Sequence, residues 1–221
     1  MLLPRRPSHV IFDLDGVLLD TEPLYTRSTQ QVLDEFGKRF DWSVKADMIG
    51  RSSLEGARHL VRALALPLSP EEYLARRKPI LDAMLPSAVE IPGASAFVAR
   101  LGEHGVPMVV ATSGERALTE LKVGSHGWFA RFQRIISGDD PRVHALKPSP
   151  DIFLVAAEEL GAAPRDCLVF EDSLAGVAAA RAAGMQVVAL PDPEMDAARY
   201  HDADLVAPRG YAELTLEALG L

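Results

Sequence analysis

HVIFDLDGVLLD, residues 9–20, sets a short apolar run, Val10-Ile11-Phe12, against two carboxylates two residues apart. The run reads as a strand buried on both faces, and charged side chains cannot continue into such a strand, so it is expected to end before Asp13. Gly16, directly after Asp15, permits a sharp turn or a close approach of another group to the backbone. On an extended chain the period of two sends Asp13 and Asp15 to the same side. Two such charges a few ångströms apart repel by roughly 4 kcal/mol at an effective dielectric of about 20, so the pair calls for a cation or a shared proton. The alternative is an acidic turn with no chemistry, and the rest of the chain has to decide between the two.

The 221 residues are enough for one α/β domain, with or without a modest insertion, and for a substantial core. Apolar residues make up 48%, as in an ordinary globular protein rather than a disordered one. The formal net charge of −8 argues against nucleic acid as a partner, and an acidic protein that handles a phosphate ester needs local cations or a metal. The single cysteine, Cys167, lies in the apolar run CLVF and reads as a reduced core thiol. No run approaches the length of a membrane span, and the apolar residues after Arg5 and Arg6 are cut at Asp13, unlike a signal peptide. The expectation is a soluble, cytoplasmic monomer with no membrane partner.

Thr21 is placed to cap a helix running to about Phe36, with Tyr25, Val32, Leu33 and Phe36 on one face and Gly37 as its stop. Ser52-x-x-Glu55 reads as a capping box for a second helix with Leu54, Ala57, Val61 and Leu64 inside. Ser69-Pro70-Glu71-Glu72 repeats the device for a third, with Leu74, Leu81 and Leu85 inside and a kink or break expected at Pro79. No strand is evident from Thr21 to Pro86, so residues 21–86 read as an all-helical insert, and residues 1–20 and 87–221 as the remaining domain. From Ile91 onward strands at 107–111, 134–137, 167–170 and 186–190 alternate with helices at 94–101, 151–160 and 174–183, the last closed by Gly184. Such alternation implies parallel strands joined by right-handed crossovers, an α/β doubly wound, Rossmann-like parallel sheet.

Polar residues follow each strand: Asp13 and Asp15, Thr112-Ser113-Gly114, Gly138-Asp139-Asp140, and Glu171-Asp172-Ser173. In an open parallel sheet these ends share one edge, where ligands bind. Asp13, Asp15, Glu171 and Asp172 are hard oxygen ligands that suit Mg2+ rather than Zn2+. Thr112, Ser113 and Gly114 lie between a strand and a helix start, where amides and a hydroxyl suit a phosphate. Lys147, just ahead of Pro148 and a helix opening near Asp151, opposes that helix's dipole, so stability alone would not select it there. Lysine, metal and donors together form a clamp for a transferring phosphoryl group; one carboxylate of the D-x-D can attack phosphorus while the other protonates the leaving alcohol.

DLDGVLLDT, VVATSG, KPSPDIF and VFEDSLAGVAAARAAGM, in this order over nearly the whole chain, resemble the four motifs of the haloacid-dehalogenase superfamily. The resemblance implies Asp13 as nucleophile, Asp15 as acid and base, and Thr112 and Lys147 as phosphate binders. It also implies Mg2+ held by Asp13, Asp172 and the carbonyl of Asp15, with Glu171 beside them. The helical insert is similar to the cap of the β-phosphoglucomutase branch, and within it GDDPRVHALKPSPDIFL and MIGRSSLEGARHLV look most like pseudouridine-5′-phosphatases. Dehalogenases lack the second aspartate, so Asp15 argues against dehalogenation, and Tyr25 stands where the mutases carry a cap histidine. The implied activity is a Mg2+-dependent phosphatase of a small phosphorylated metabolite, pseudouridine 5′-phosphate or a sugar phosphate, with a cap that closes over the site; Glu22 and Arg51 read either as cap residues facing the substrate or as exposed helix-end charges. A sugar-phosphate mutase and a non-catalytic phosphate-binding module are the rival readings.

Overall fold

A computed structural model of the protein describes residues 3–48 and 53–221. Its strands are β1 (His9–Phe12), β2 (Leu19–Asp20), β3 (Val89–Glu90), β4 (Met108–Ala111), β5 (Ile135–Ile136), β6 (Cys167–Glu171), β7 (Gln186–Ala189) and β8 (Leu205–Val206). The α-helices are α1 (Glu22–Asp34), α2 (Trp42–Ala46), α3 (Ser53–Ala63), α4 (Pro70–Met84), α5 (Ala94–Glu103), α6 (Arg116–Val123), α7 (Asp151–Leu160), α8 (Leu174–Ala182) and α9 (Leu216–Leu219). Six strands form one parallel sheet in the order β5-β4-β1-β6-β7-β8. The chain thus starts at the centre, steps outward through β4 and β5, and returns to the far side of β1 to lay down β6, β7 and β8. The order reverses at β1, and the carboxyl ends of β1, β4 and β6 border the crevice that such a reversal opens.

The apolar texture of the strands follows from this placement. Every residue of β4, β6 and β7 is buried, as are Val10, Ile11 and Phe12 of β1, because helices cover the sheet. Ile11, Val109, Val169 and Val187 pack with Ile152, Phe153 and Ala156 of α7 and Val177 and Ala180 of α8. Phe12 stacks on Phe170 with ring centroids 4.8 Å apart, and Phe97 of α5 meets Phe170 edge-on at 5.4 Å. Cys167 is buried in this core, and burial pushes its thiol up to about 12, leaving it an inert apolar residue.

The chain divides into two compact units, Met1–Asp20 with Val89–Leu221, and Thr21–Ala88. The second unit is helical, with a cluster of its own that includes Val32, Leu33, Ala57, Leu60 and Tyr73. Its inner faces differ in part from the sequence pattern. In α1 Leu24, Ser28, Thr29, Val32 and Leu33 are buried, while Tyr25, and Phe36 beyond the helix end, are half-buried. Thr29 is tolerated inside because its hydroxyl is 3.0 Å from that of Tyr73, a buried α4 residue the pattern had not placed in the core. In α3 the buried residues are Gly56, Ala57 and Leu60, with Val61 and Leu64 packed against them; Ser52 of the expected capping box lies outside the described residues. The Ser69 capping box forms as read: Ser69 Oγ accepts from Glu72 N (3.1 Å) and Glu72 Oε2 from Ser69 N (2.7 Å). The expected break at Pro79 does not occur. α4 runs through it, with Pro79 exposed, as is Ala75, whose carbonyl loses its donor to the proline.

β2 and β3, which the sequence did not suggest, pair antiparallel, Leu19 with Glu90 and Asp20 with Val89. They hold together the two points where the chain leaves and rejoins the sheet-bearing unit.

Candidate active site

β1 gives up its strand geometry at Phe12, but Asp13 N still donates to Phe170 O (2.9 Å), so the first aspartate stands one ladder step past the strand end. There its side chain is 9% exposed. Lys147 reaches it from the loop ahead of α7: Nζ donates to Asp13 Oδ1 (2.5 Å), Glu171 Oε1 (2.7 Å) and Ala111 O (3.1 Å). All three donor positions of the ammonium are thereby used, two on carboxylates at the ends of neighbouring strands. Asp15, on the same loop as Asp13, is held by a different lysine. Lys122 Nζ of α6 donates to Oδ1 (2.7 Å) and Oδ2 (2.8 Å), and Thr112 Oγ1 lies 3.5 Å from Oδ2.

The close packing of these loops depends on two glycines. Gly16 has φ +77°, and a Cβ there would stand 2.2 Å from Asp172 Oδ2, so the turn after the D-x-D can lie against the β6 loop only without a side chain. Gly176, in the first turn of α8, would place a Cβ 1.7 Å from Glu171 Oε1. Glu171 is 1% exposed, and its second oxygen accepts from Ser173 N (2.8 Å) and Ser173 Oγ (3.0 Å). Ser173 Oγ in turn caps α8 by accepting from Gly176 N (3.0 Å). Glu171 is therefore committed to orienting Lys147 and the start of α8, whereas Asp172 is anchored through its backbone, its carbonyl accepting from Tyr200 OH (2.6 Å).

At the end of β4, Thr112 is 1% exposed and its Oγ1 accepts from Gly114 N (3.1 Å), shaping the Thr112-Ser113-Gly114 turn ahead of α6. The third polar cluster, Gly138-Asp139-Asp140, turns out to brace the loop that carries Lys147. Asp139 Oδ1 accepts from Arg116 N at the start of α6 (2.9 Å). Asp140 takes two hydrogen bonds from the Arg142 guanidinium, 2.9 Å each, and Arg142 also reaches Glu159 of α7 (2.6 Å). Those bonds hold the Asp140 carboxyl down at about 2. Asp151 finishes the bracing by accepting from His144 N, Ala145 N and Ser149 Oγ, and its charge in the first turn of α7 offsets the unfavourable lysine nearby. The Lys147–Pro148 peptide bond is cis.

Four carboxylates, Asp13, Asp15, Glu171 and Asp172, share the site with two ammonium groups, Lys122 and Lys147, leaving an excess of two negative charges. Burial lowers the affinity of Lys147 for its proton, but the charges of Asp13 and Glu171 outweigh it and hold the lysine firmly protonated. One lysine cannot offset the whole group. Asp13 is pushed up to about 7 by burial, opposed by Lys147 and reinforced by Glu171 and Asp15. Asp172 is raised by burial and by the charges of Glu171 and Asp13. Buried carboxylates that resist ionisation for want of a counter-charge are the donor set a hard divalent cation suits. Among the described residues no three acidic, histidine or cysteine side chains meet closely enough to hold a metal unaided. The set implied by the resemblance contains only two carboxylates, those of Asp13 and Asp172, completed by the Asp15 carbonyl.

Of the residues singled out from the sequence, Asp13, Asp15, Thr112, Lys147, Glu171 and Asp172 meet at the carboxyl ends of β1, β4 and β6, with Ser113 and Gly114 in the adjoining turn. Glu22 belongs to the helical unit, where it pairs with Lys45 (2.9 Å), and Arg51 lies outside the described residues. Sequence reading missed Lys122. The only available signal was a cation three residues after Thr119 on a helix that follows the Thr-Ser-Gly turn, since both prove to be its buried residues.

Residues 7–184 match the haloacid dehalogenase-like hydrolases. A (DL)-glycerol-3-phosphatase of Arabidopsis thaliana is 41% identical over 205 residues, 90% of this chain and 85% of the relative. A probable pseudouridine-5′-phosphatase of Drosophila melanogaster is 42% identical over 195 residues, 86% and 84% of the two chains. The crystal structure of a Deinococcus radiodurans hydrolase of the family, with bound phosphate and sodium, superposes with a TM-score of 0.82 at 29% identity, covering 97% of each chain. The motifs first noticed around the D-x-D thus have counterparts along most of the molecule, and the chain belongs to the haloacid dehalogenase-like hydrolase family, among its phosphoric monoester hydrolases.

Proposed function

We propose that the protein is a Mg2+-dependent phosphatase of small phosphomonoesters that works through an aspartyl-phosphate on Asp13. The observation that carries the reading is the convergence of Asp13, Asp15, Thr112 and Asp172 from three strand ends, and of Lys147 from the loop ahead of α7, onto one rim of the sheet. Lys147 engages Oδ1 of Asp13, which leaves Oδ2 to attack phosphorus. Lys147 and the Thr112-Ser113-Gly114 turn then face the charge that spreads over the equatorial phosphoryl oxygens in the transition state. Asp15 gives a proton to the departing alcohol and takes one back from the water that hydrolyses the acyl phosphate. Asp13, Asp172 and the Asp15 carbonyl would hold Mg2+, which supplies positive charge that lets the carboxylates ionise together and a dianionic ester approach them.

The named relatives act on glycerol 3-phosphate and, by designation, pseudouridine 5′-phosphate, so compact phosphorylated alcohols and nucleosides are the substrates to screen first. The test is phosphate release from such a panel with Mg2+ and with chelator, beside Asp13→Asn. We expect turnover with Mg2+, none with chelator, and a fall of at least about a thousandfold in Asp13→Asn with an unchanged circular dichroism spectrum. Substantial turnover by folded Asp13→Asn removes the nucleophile assignment, and isomerisation of a sugar phosphate without release of phosphate turns the reading to a mutase.

A further inference from the structure

We infer that Lys122 is a positioning residue that fixes the Asp15 carboxylate for proton transfer, an inference that rests on the acid–base role proposed above for Asp15. The side chain of Lys122 is 1% exposed and spends its ammonium on both oxygens of Asp15, at 2.7 and 2.8 Å. A single cation across both oxygens holds the carboxylate in one orientation. Lys147 cannot do this work, because its three bonds go to Asp13, Glu171 and Ala111. The two aspartates of the D-x-D therefore have separate lysines, delivered by separate elements.

Packing alone does not explain the arrangement. α6 carries Leu118 and Leu121, yet it is turned so that Leu121 is 37% exposed, Leu118 half-buried, and Thr119 and Lys122 face inward. Burying an ammonium in place of an adjacent leucine costs desolvation that the ion pair at best repays, so stability does not favour this rotation over one that buries the leucines. What the rotation achieves is a fixed Asp15. Lys122 exchanges no proton in the cycle: the proton goes from Asp15 to the ester oxygen as the alcohol leaves, and another returns to Asp15 from the attacking water.

The test uses Lys122→Met, Lys122→Arg, Asp15→Asn and the double variant Asp15→Asn/Lys122→Met with phenyl phosphate and p-nitrophenyl phosphate, whose leaving groups differ in their need for a proton. Lys122→Met is expected to lower kcat on phenyl phosphate by about 10- to 100-fold and on p-nitrophenyl phosphate by less than about threefold, with KM within about threefold. Lys122→Arg should fall between it and the wild type, and the double variant should match Asp15→Asn within about twofold. Equal slowing of both esters by Lys122→Met, or losses that multiply in the double variant, would make Lys122 merely structural. If Asp15→Asn slows both esters equally, the acid–base reading fails and takes this inference with it; if Asp15→Asn discriminates and Lys122→Met does not, the inference alone fails. Should Lys122→Met not fold, Lys122→Arg decides on the same leaving-group comparison, and an Arg variant without discrimination overturns the proposal.

Discussion

A carboxylate as enclosed as that of Asp13 ionises only where something nearby stabilises the charge, and its one lysine is shared with Glu171. Raised to about 7 from an ordinary value near 3.8, Asp13 binds a proton in the folded metal-free protein at pH values where the unfolded chain has released it. Stability of the metal-free protein therefore falls as pH climbs from about 4 to about 7, by on the order of 2–4 kcal/mol from this group. A divalent cation held as proposed above would reverse the penalty by binding the ionised, folded form. Thermal unfolding with and without Mg2+ is expected to show a rise in Tm at about pH 7.5 that shrinks toward zero at about pH 5; an equal rise at both would mean the cation binds elsewhere. The same residues mark how far the sequence could be read. Asp13, Asp15 and Lys147 stood out because each violates a local rule, charge at a buried strand end or a cation at a helix start. Lys122 violates one only after the rotation of α6 is known, since along the sequence Leu118 and Leu121 offered an equally good inner face.

At the level of elements, the strand ends and the helix starts are welded by side-chain hydrogen bonds. Glu171 is the clearest case, held by Ser173 from below and bonded to Lys147 above, with the Gly176 backbone against it. Gly176→Ala is expected to destabilise the fold by about 3 kcal/mol or more, because the new methyl meets a buried carboxylate that cannot withdraw without giving up its bonds to Lys147 and Ser173. Urea unfolding checks this, and a variant within about 0.5 kcal/mol of the wild type would show that the β6–α8 turn yields more easily than its bonds imply. β1, β4, β6 and β7 were legible as unbroken apolar runs, and α7 and α8 as apolar segments with clear stops. The parts that were not legible depend on distant partners: Thr29 inside α1 needs Tyr73, β2 needs β3, and the Gly138-Asp139-Asp140 cluster became a brace because the Arg116 amide was there for Asp139 and Glu159 for Arg142.

At the scale of the molecule, one apolar cluster lies between the sheet and its helices, and the helical unit has a cluster of its own. Replacing Thr21–Ala88 by a short Gly-Ser connector should accordingly leave a protein with a cooperative thermal transition and the strand content of the parent; circular dichroism and calorimetry would show it. A non-cooperative, molten product would mean that the sheet needs its insert to fold.

The Leu19–Glu90 and Asp20–Val89 pairs bring departing and returning backbone to a single ladder spacing. Any segment whose own two ends lie that close can be spliced between them without disturbing the register of the parallel strands. The inserted segment can in consequence be lengthened, shortened or exchanged while the carboxyl ends of β1, β4 and β6 keep their places.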